Sequence, residues 1–180
     1  MTIPVLETER LLLRRLDAAD FPAWAEMYAD GEFAMALGYA APLNTEEAWR
    51  ALAIHVGQWT LRGFGMWAVV ERAVPQRLIG RIGFYQPEGW PGFELGWGLA
   101  RPYWGRGFAT EGAHAALAYA FDVLRQPRVI SLIAPDSTRS AAVARRLGEH
   151  IVERIEFHGK PTDVWALERS VWASDGARRR

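Results

Sequence analysis

The chain of 180 residues contains no cysteine. That absence removes disulfides, thiolate metal sites and a covalent cysteine nucleophile together. Neither sign of charge is in excess: 21 Lys and Arg balance 21 Asp and Glu, which argues against a broad electrostatic grip on nucleic acid or an anionic membrane. No apolar run is long enough to span a bilayer. Met1 to Arg10 carries a proline and two glutamates where a secretory leader needs apolar residues, so the expected location is the cytoplasm. The histidines at 55, 114, 150 and 158 lack the paired spacing of a zinc helix, and no metal is expected.

What is present is apolar bulk. Half of the residues are hydrophobic and 23% are charged, enough for one core and a single domain over residues 1–172, with 173–180 read as a disordered tail. Leu11 to Leu13, short and flanked by arginines, reads as a first strand. Asp17 and Asp20 suit the start of a helix through about Ala29. Asn44 followed by Glu47 is a capping-box pattern opening a second helix, with Trp49, Leu52, Ala53 and Val56 at helical spacing and Gly63 at its end. Apolar runs at Phe64–Val70, Leu78–Tyr85 and Phe93–Leu99, separated by Pro and Gly, read as a three-stranded meander. A helix follows Gly107, with Ala109, Ala113, Ala116, Leu117, Ala120, Phe121 and Leu124 on one face. Val129–Ala134 reads as a strand, Ser137–Leu147 as a helix, and Ile151–Phe157 with Val164–Leu167 as a closing hairpin. The order predicts an α+β fold with a mixed, mostly antiparallel sheet and one helical crossover joining parallel strands.

The segment Trp104-Gly105-Arg106-Gly107-Phe108-Ala109-Thr110 lies between a strand and a helix. The first N–H groups of the helix have no intrahelical partner, and the glycines remove side chains that would keep a phosphate away. The same spacing also serves a tight turn with no ligand.

Here the sequence resembles the GCN5-related N-acetyltransferase (GNAT) superfamily. Tyr103-Trp104-Gly105-Arg106-Gly107-Phe108-Ala109-Thr110-Glu111 is similar to the phosphate loop of its ribosomal-protein alanine acetyltransferase branch. Thr8-Glu9-Arg10-Leu11-Leu12-Leu13-Arg14 looks like that branch's opening strand, and Ser140 to Gly148 like its late helix. The resemblance implies the acyl-CoA N-acyltransferase fold, acetyl-CoA as cosubstrate, and a splayed pair of parallel strands that holds the pantetheine arm beside Gly98, Leu99 and Ala100. It further implies a bulge in that strand, with which Gly96 and Gly98 are compatible; relief of packing is the other reading of these glycines. Ser137 stands where the family has a coenzyme-contacting asparagine, and Arg106 and Arg146 are candidates to reach phosphates, or to be merely solvated.

With no cysteine, an amine would attack directly in a ternary complex. Glu94 resembles the family's general base and Ser140 the serine placed near the thiol; a structural carboxylate and a helix-start serine are the alternatives. The tyrosine acid that the family places after the late helix has no counterpart, because Gly148-Glu149-His150 follows. Aromatics at 24, 28, 33, 39, 85, 90 and 165, with Glu26, Glu32 and Glu88, are expected to shape the acceptor site or to pack the core. The branch points to a protein or peptide N-terminal amine. A small amine or aminoglycoside acceptor, and a non-catalytic acyl-CoA-binding module, stay open, as do monomer and homodimer.

Overall fold

The computed structural model describes residues 2–178, with side-chain surroundings given through residue 174. Eight strands form one sheet in the order β1-β2-β3-β4-β5-β6-β8-β7. They are β1 (Leu6–Glu7), β2 (Leu11–Arg14), β3 (Met66–Glu71), β4 (Val74–Tyr85), β5 (Glu94–Leu99), β6 (Arg128–Ile133), β7 (His150–Phe157) and β8 (Lys160–Glu168). Every neighbouring pair is antiparallel except β5 and β6. These two are joined by the helix α4 (Phe108–Ala118), as the crossover pattern predicts.

The other helices are α1 (Phe21–Ala29), α2 (Gly31–Ala36), α3 (Thr45–Arg62), α5 (Thr138–Leu147) and α6 (Arg169–Arg178). Asp17 caps only a 3-10 turn, accepting from the Ala19 N–H at 2.9 Å, and α1 begins at Phe21. The short α2 carries too few turns to show periodicity and was not expected; Asp30 caps it by accepting from the Phe33 N–H at 3.1 Å. Helix α6 continues the chain over part of the stretch read as a tail; positions 179 and 180 lie outside the described residues. No helix among the described residues is long and apolar enough to cross a membrane.

The Asn44 capping box is present in full: Asn44 Oδ1 accepts from the Glu47 N–H at 3.0 Å, and Glu47 Oε2 accepts from the Asn44 N–H at 2.9 Å. The buried face of α3 is rotated from the expected one and runs through Ala48, Leu52, His55 and Trp59. Trp49 is 49% exposed and meets Phe21 edge-on at 5.0 Å, so its apolar bulk covers the surface of α1 instead of entering the core.

Two layers of side chains sandwich the sheet. On one face α4 packs Phe108, Ala113, Leu117 and the following π turn's Phe121 against Leu11, Ile82, Phe84 and Leu95. Gly112 permits that approach, since a Cβ there would stand 2.6 Å from Ile82 Cδ1. On the other face α1, α2 and α3 bury Trp24, Tyr28, Phe33, Ala48 and Leu52 over Ala68 and Leu78.

Candidate active site

The parallel strands β5 and β6 share one rung. Glu94 is in register with Ile130, and the Ile130 N–H donates to Phe93 O at 3.0 Å. Immediately beyond, a side chain replaces the ladder: Ser131 Oγ donates to Leu95 O at 2.9 Å. From there the strands diverge and leave a fork. The direction of each backbone group follows from strand alternation. Ala100 donates its N–H to Ile79 O at 2.8 Å, on the β4 side. Gly98 therefore also faces β4, while Trp97 and Leu99 turn their N–H groups into the fork. The Leu99 carbonyl accepts from Trp104 Nε1 at 2.6 Å. Of the expected Gly98, Leu99 and Ala100, only Leu99 turns its N–H into the gap, and Trp97 turns its own there beside it.

The expected bulge is absent. Strands β4 and β5 keep unbroken register from Gly80↔Leu99 to Tyr85↔Glu94, and the register shifts of this half of the sheet fall between β3 and β4. A Cβ on Gly98 would stand 3.1 Å from Leu37 and 3.3 Å from Phe33, so this glycine lets α2 close over the strand.

At the far end of β5 the loop turns through Gly105 and Gly107, with φ of +74° and +81°, the left-handed region that glycine tolerates without strain. Gly107 caps α4 with no side-chain bond, leaving the N–H groups of Phe108, Ala109 and Thr110 without intrahelical acceptors. The Phe108 side chain is buried, with the Arg10 and Arg106 guanidinium groups each 4.5 Å above its ring. It is a core residue whose backbone alone faces the loop.

Glu111 fastens this loop to the start of the chain. It accepts from Thr8 Oγ1 at 2.6 Å, from the Arg10 N–H at 2.8 Å and from Arg10 Nε at 2.7 Å, while Arg10 Nη1 donates to Arg106 O at 3.0 Å. Burial alone would raise the Glu111 carboxyl, but these donors outweigh it and hold it below the usual range. The Arg106 side chain turns to Glu71 at 3.1 Å. Arg146 lies in the last turn of α5, about 12 Å along the helix from its start. Arg139, in the first turn, is the arginine that meets the loop, stacked 4.0 Å over Trp104.

Glu94 sits at the closed end of the fork. Burial pushes its carboxyl up to about 7, against the Trp90 indole that donates at 2.6 Å, the positive charge of Arg81 and the Leu132 N–H. A second carboxyl is close by. Glu149, 4% exposed, lies 3.0 Å from Ser131 Oγ and is pushed up to about 8 by burial, eased by Ser131 and increased by Glu94. Ser131 has a single proton, directed at a carbonyl that can only accept. A protonated Glu149 donating to Ser131 Oγ satisfies both contacts. Ser140 is half-buried in α5, one turn beyond the N-cap, and its hydroxyl makes no hydrogen bond among the described residues. Ser137 is the N-cap of α5 but gives it no side-chain bond.

The acceptor side of β5 is faced by α1, α2 and α3. Trp24, Tyr28 and Phe33 are fully buried in the core, and Trp165 packs with α5. Tyr39, Tyr85 and Trp90 remain half-buried around Glu94, with Tyr85 and Trp90 edge-on at 4.9 Å. Glu32 is paired with Arg101 at 3.0 Å and Glu88 with Arg62, both on the surface, and Glu26 is exposed on α1.

Residues 10–150 match the family model of an acetyltransferase (GNAT) domain. An acetyltransferase from Agrobacterium tumefaciens is 31% identical, with a TM-score of 0.83 over 93% of this chain and 96% of that one. The uncharacterized protein YkkB of Bacillus subtilis is 30% identical over 105 residues, 57% of this chain; the match spans 60% of that relative's length. RimL, a ribosomal alpha-N-protein acetyltransferase solved with coenzyme A, shares the fold at 16% identity, with a TM-score of 0.76 over 93% of this chain and 99% of that one.

Proposed function

Because the chain belongs to the GNAT acetyltransferase family, we propose that it moves an acetyl group from acetyl-coenzyme A to a primary amine, by direct attack in a ternary complex. The observation that carries this reading is the one-rung fork ending beside Glu94, a carboxyl tuned close to neutrality. The fork fits the coenzyme: Trp97 and Leu99 offer backbone groups to an extended arm in the manner of an added strand, and the Phe108, Ala109 and Thr110 N–H groups face the place of a pyrophosphate. Acetyl-coenzyme A would supply the activated acyl group as a thioester.

Glu94 takes a proton from the acceptor ammonium, directly or through one water. A base titrating near 7 combines a useful fraction of the ionised form with adequate basicity. The Trp97 N–H is oriented to stabilise negative charge developing on the acyl oxygen. Ser140, unbonded among the described residues, is the donor toward the leaving sulfur at the start of α5. The loop and opening strand support a protein or peptide N-terminal amine, and RimL shares the fold; a small amine is the second reading, favoured by the enclosed aromatic surround of Glu94.

Thermal unfolding in excess acetyl-CoA, CoA, NADPH and ATP tests the loop. Ligand at about a hundred times its dissociation constant adds about 2.7 kcal/mol, a rise of about 5 to 10 °C in a domain of this size, expected for the two coenzyme A species only. Glu94→Gln should keep that shift and lose about a hundredfold in kcat, and it should remove the rise of kcat/KM through about pH 7. Unchanged turnover in Glu94→Gln would leave a coenzyme-binding module without catalysis.

A further inference from the structure

Strand β4 carries Arg81 on the same face of the sheet as Glu94, since Arg81 opposes Gly98 and Tyr85 opposes Glu94 in the ladder. Arg81 is 9% exposed. Its Nε donates to Tyr28 OH at 3.0 Å and its Nη1 to Met66 Sδ at 3.4 Å. Neither partner offsets the charge: burial holds the Tyr28 hydroxyl neutral, and a thioether is a weak acceptor. Among the described residues no carboxylate comes within ion-pair distance of it and only the Glu94 carboxyl acts on it from farther off, whereas Arg10, Arg14, Arg101 and Arg154 each hold one directly. A guanidinium does not shed its proton to escape burial, and a buried charge normally has a counter-ion.

Gly96 lies between Glu94 and Gly98 on this face, and a Cβ there would stand 3.7 Å from Arg81 Nη1. The Met66 methyl, 3.0 Å from the same point, covers this stretch of the strand, and its flexible thioether chain has to swing aside for a ligand to lie between the base and the guanidinium. His55 lies near Arg81; burial, and then the charge of Arg81, keep it neutral, and its Nδ1 has no hydrogen-bond partner among the described residues. A hollow of about 300 Å³, lined by Tyr39, Leu43, Glu47, Arg50, Ala51 and Ile54, lies between α3 and the segment after α2. Tyr39 lines this hollow and meets, edge-on at 5.8 Å, the Tyr28 ring whose hydroxyl Arg81 holds.

We propose that Arg81 receives a carboxylate of the acceptor, and that the acceptor is a free amino acid whose amine is presented to Glu94. This rests on the acetyl-transfer reading for its chemistry but not for its binding. The carboxylate supplies the close counter-ion that Glu94, kept for the amine, provides only at longer range. A protein N-terminus, whose first carboxyl is an amide, cannot supply it there.

The experiment measures thiol release from acetyl-CoA with free L-amino acids, the matching amino acid amides and short peptides. In parallel, thermal unfolding with each acceptor in the presence of CoA reads binding without turnover. At least one amino acid is expected to exceed its amide about a hundredfold in kcat/KM. In Arg81→Met, and less fully in Arg81→Lys, that ratio should collapse toward one, mainly through KM, in a protein whose unfolding still shifts with CoA. Arg81-dependent binding of an amino acid without transfer would uphold the anion site and sink the acetyl-transfer reading. Equal use of acid and amide, acetylation of peptides alone, or no binding of any amino acid would overturn the proposal.

Discussion

A carboxyl group that stays protonated at neutral pH inside a fold makes stability depend on alkalinity, and Glu149 is such a group. Its pKa rises from 4.5 to about 8 on folding, so between these values the folded chain holds the proton that the unfolded chain has released. Stability then falls as pH rises through that window, the sign opposite to that of an acid in a salt bridge. Glu111 is the contrast within this molecule: its depressed pKa adds stability that is present at neutral pH and lost in acid. Glu149→Gln keeps a donor for Ser131 and cannot ionise. Its unfolding midpoint should match the parent at pH 5 and exceed it at pH 9; parallel profiles of the two proteins would rule this account out. Glu94 could be singled out in the sequence because it stands on the strand before the glycine loop and resembles a family glutamate, while its burial and raised pKa come from the fold. Glu149 was not, since a glutamate after a glycine helix cap reads as solvated, and its burial depends on where β5 and β6 part. Arg81 escaped notice in an apolar run, because its meaning comes from the glycines opposite.

At the level of elements, the loop at residues 104–110 owes its shape to a distant partner. Thr8 and Arg10, in the turn between β1 and β2, hold Glu111 through three hydrogen bonds of 2.6 to 2.8 Å, and Arg10 also holds the Arg106 carbonyl. None of these side chains needs to touch the coenzyme to matter for it. Glu111→Ala frees the Gly105–Gly107 turn, so the apparent dissociation constant of CoA should rise about tenfold as the competent loop becomes a minority conformer. Calorimetric titration reads this directly, and an unchanged constant would show that the loop holds itself. Two of the three sequence stretches that resembled a known family, 8–14 and 103–111, are therefore one structural unit. Each was visible as a motif, but their contact across about a hundred residues was not. The Asn44 capping box was legible because it is local, whereas the buried face of α3 was misjudged because the choice between Trp49 and Ala48 is made by α1.

Across the whole molecule, the meander, the helical crossover and the closing hairpin could all be read from periodicity and turn residues. The extent of pairing between β5 and β6 could not, because a diverging parallel pair leaves the same apolar pattern as a zipped one. Hydrogen exchange separates the two. The amides of Trp97 and Leu99, turned into the fork, should exchange rapidly in the free protein and slow at least about tenfold with CoA, while Gly98, bonded to β4, stays protected in both states. Equal protection of all three without ligand would mean that the fork is closed. The sheet is thus two leaves, β1 to β5 and β6 with β8 and β7, whose described strand-to-strand links are one backbone rung, one serine and the Leu132 N–H on the Glu94 carboxyl. A seam of this kind has a consequence for how the molecule comes apart. The smaller leaf can loosen while the larger still stands, and a coenzyme lying in the seam would act as mortar, so that two masonry courses yield together as one wall.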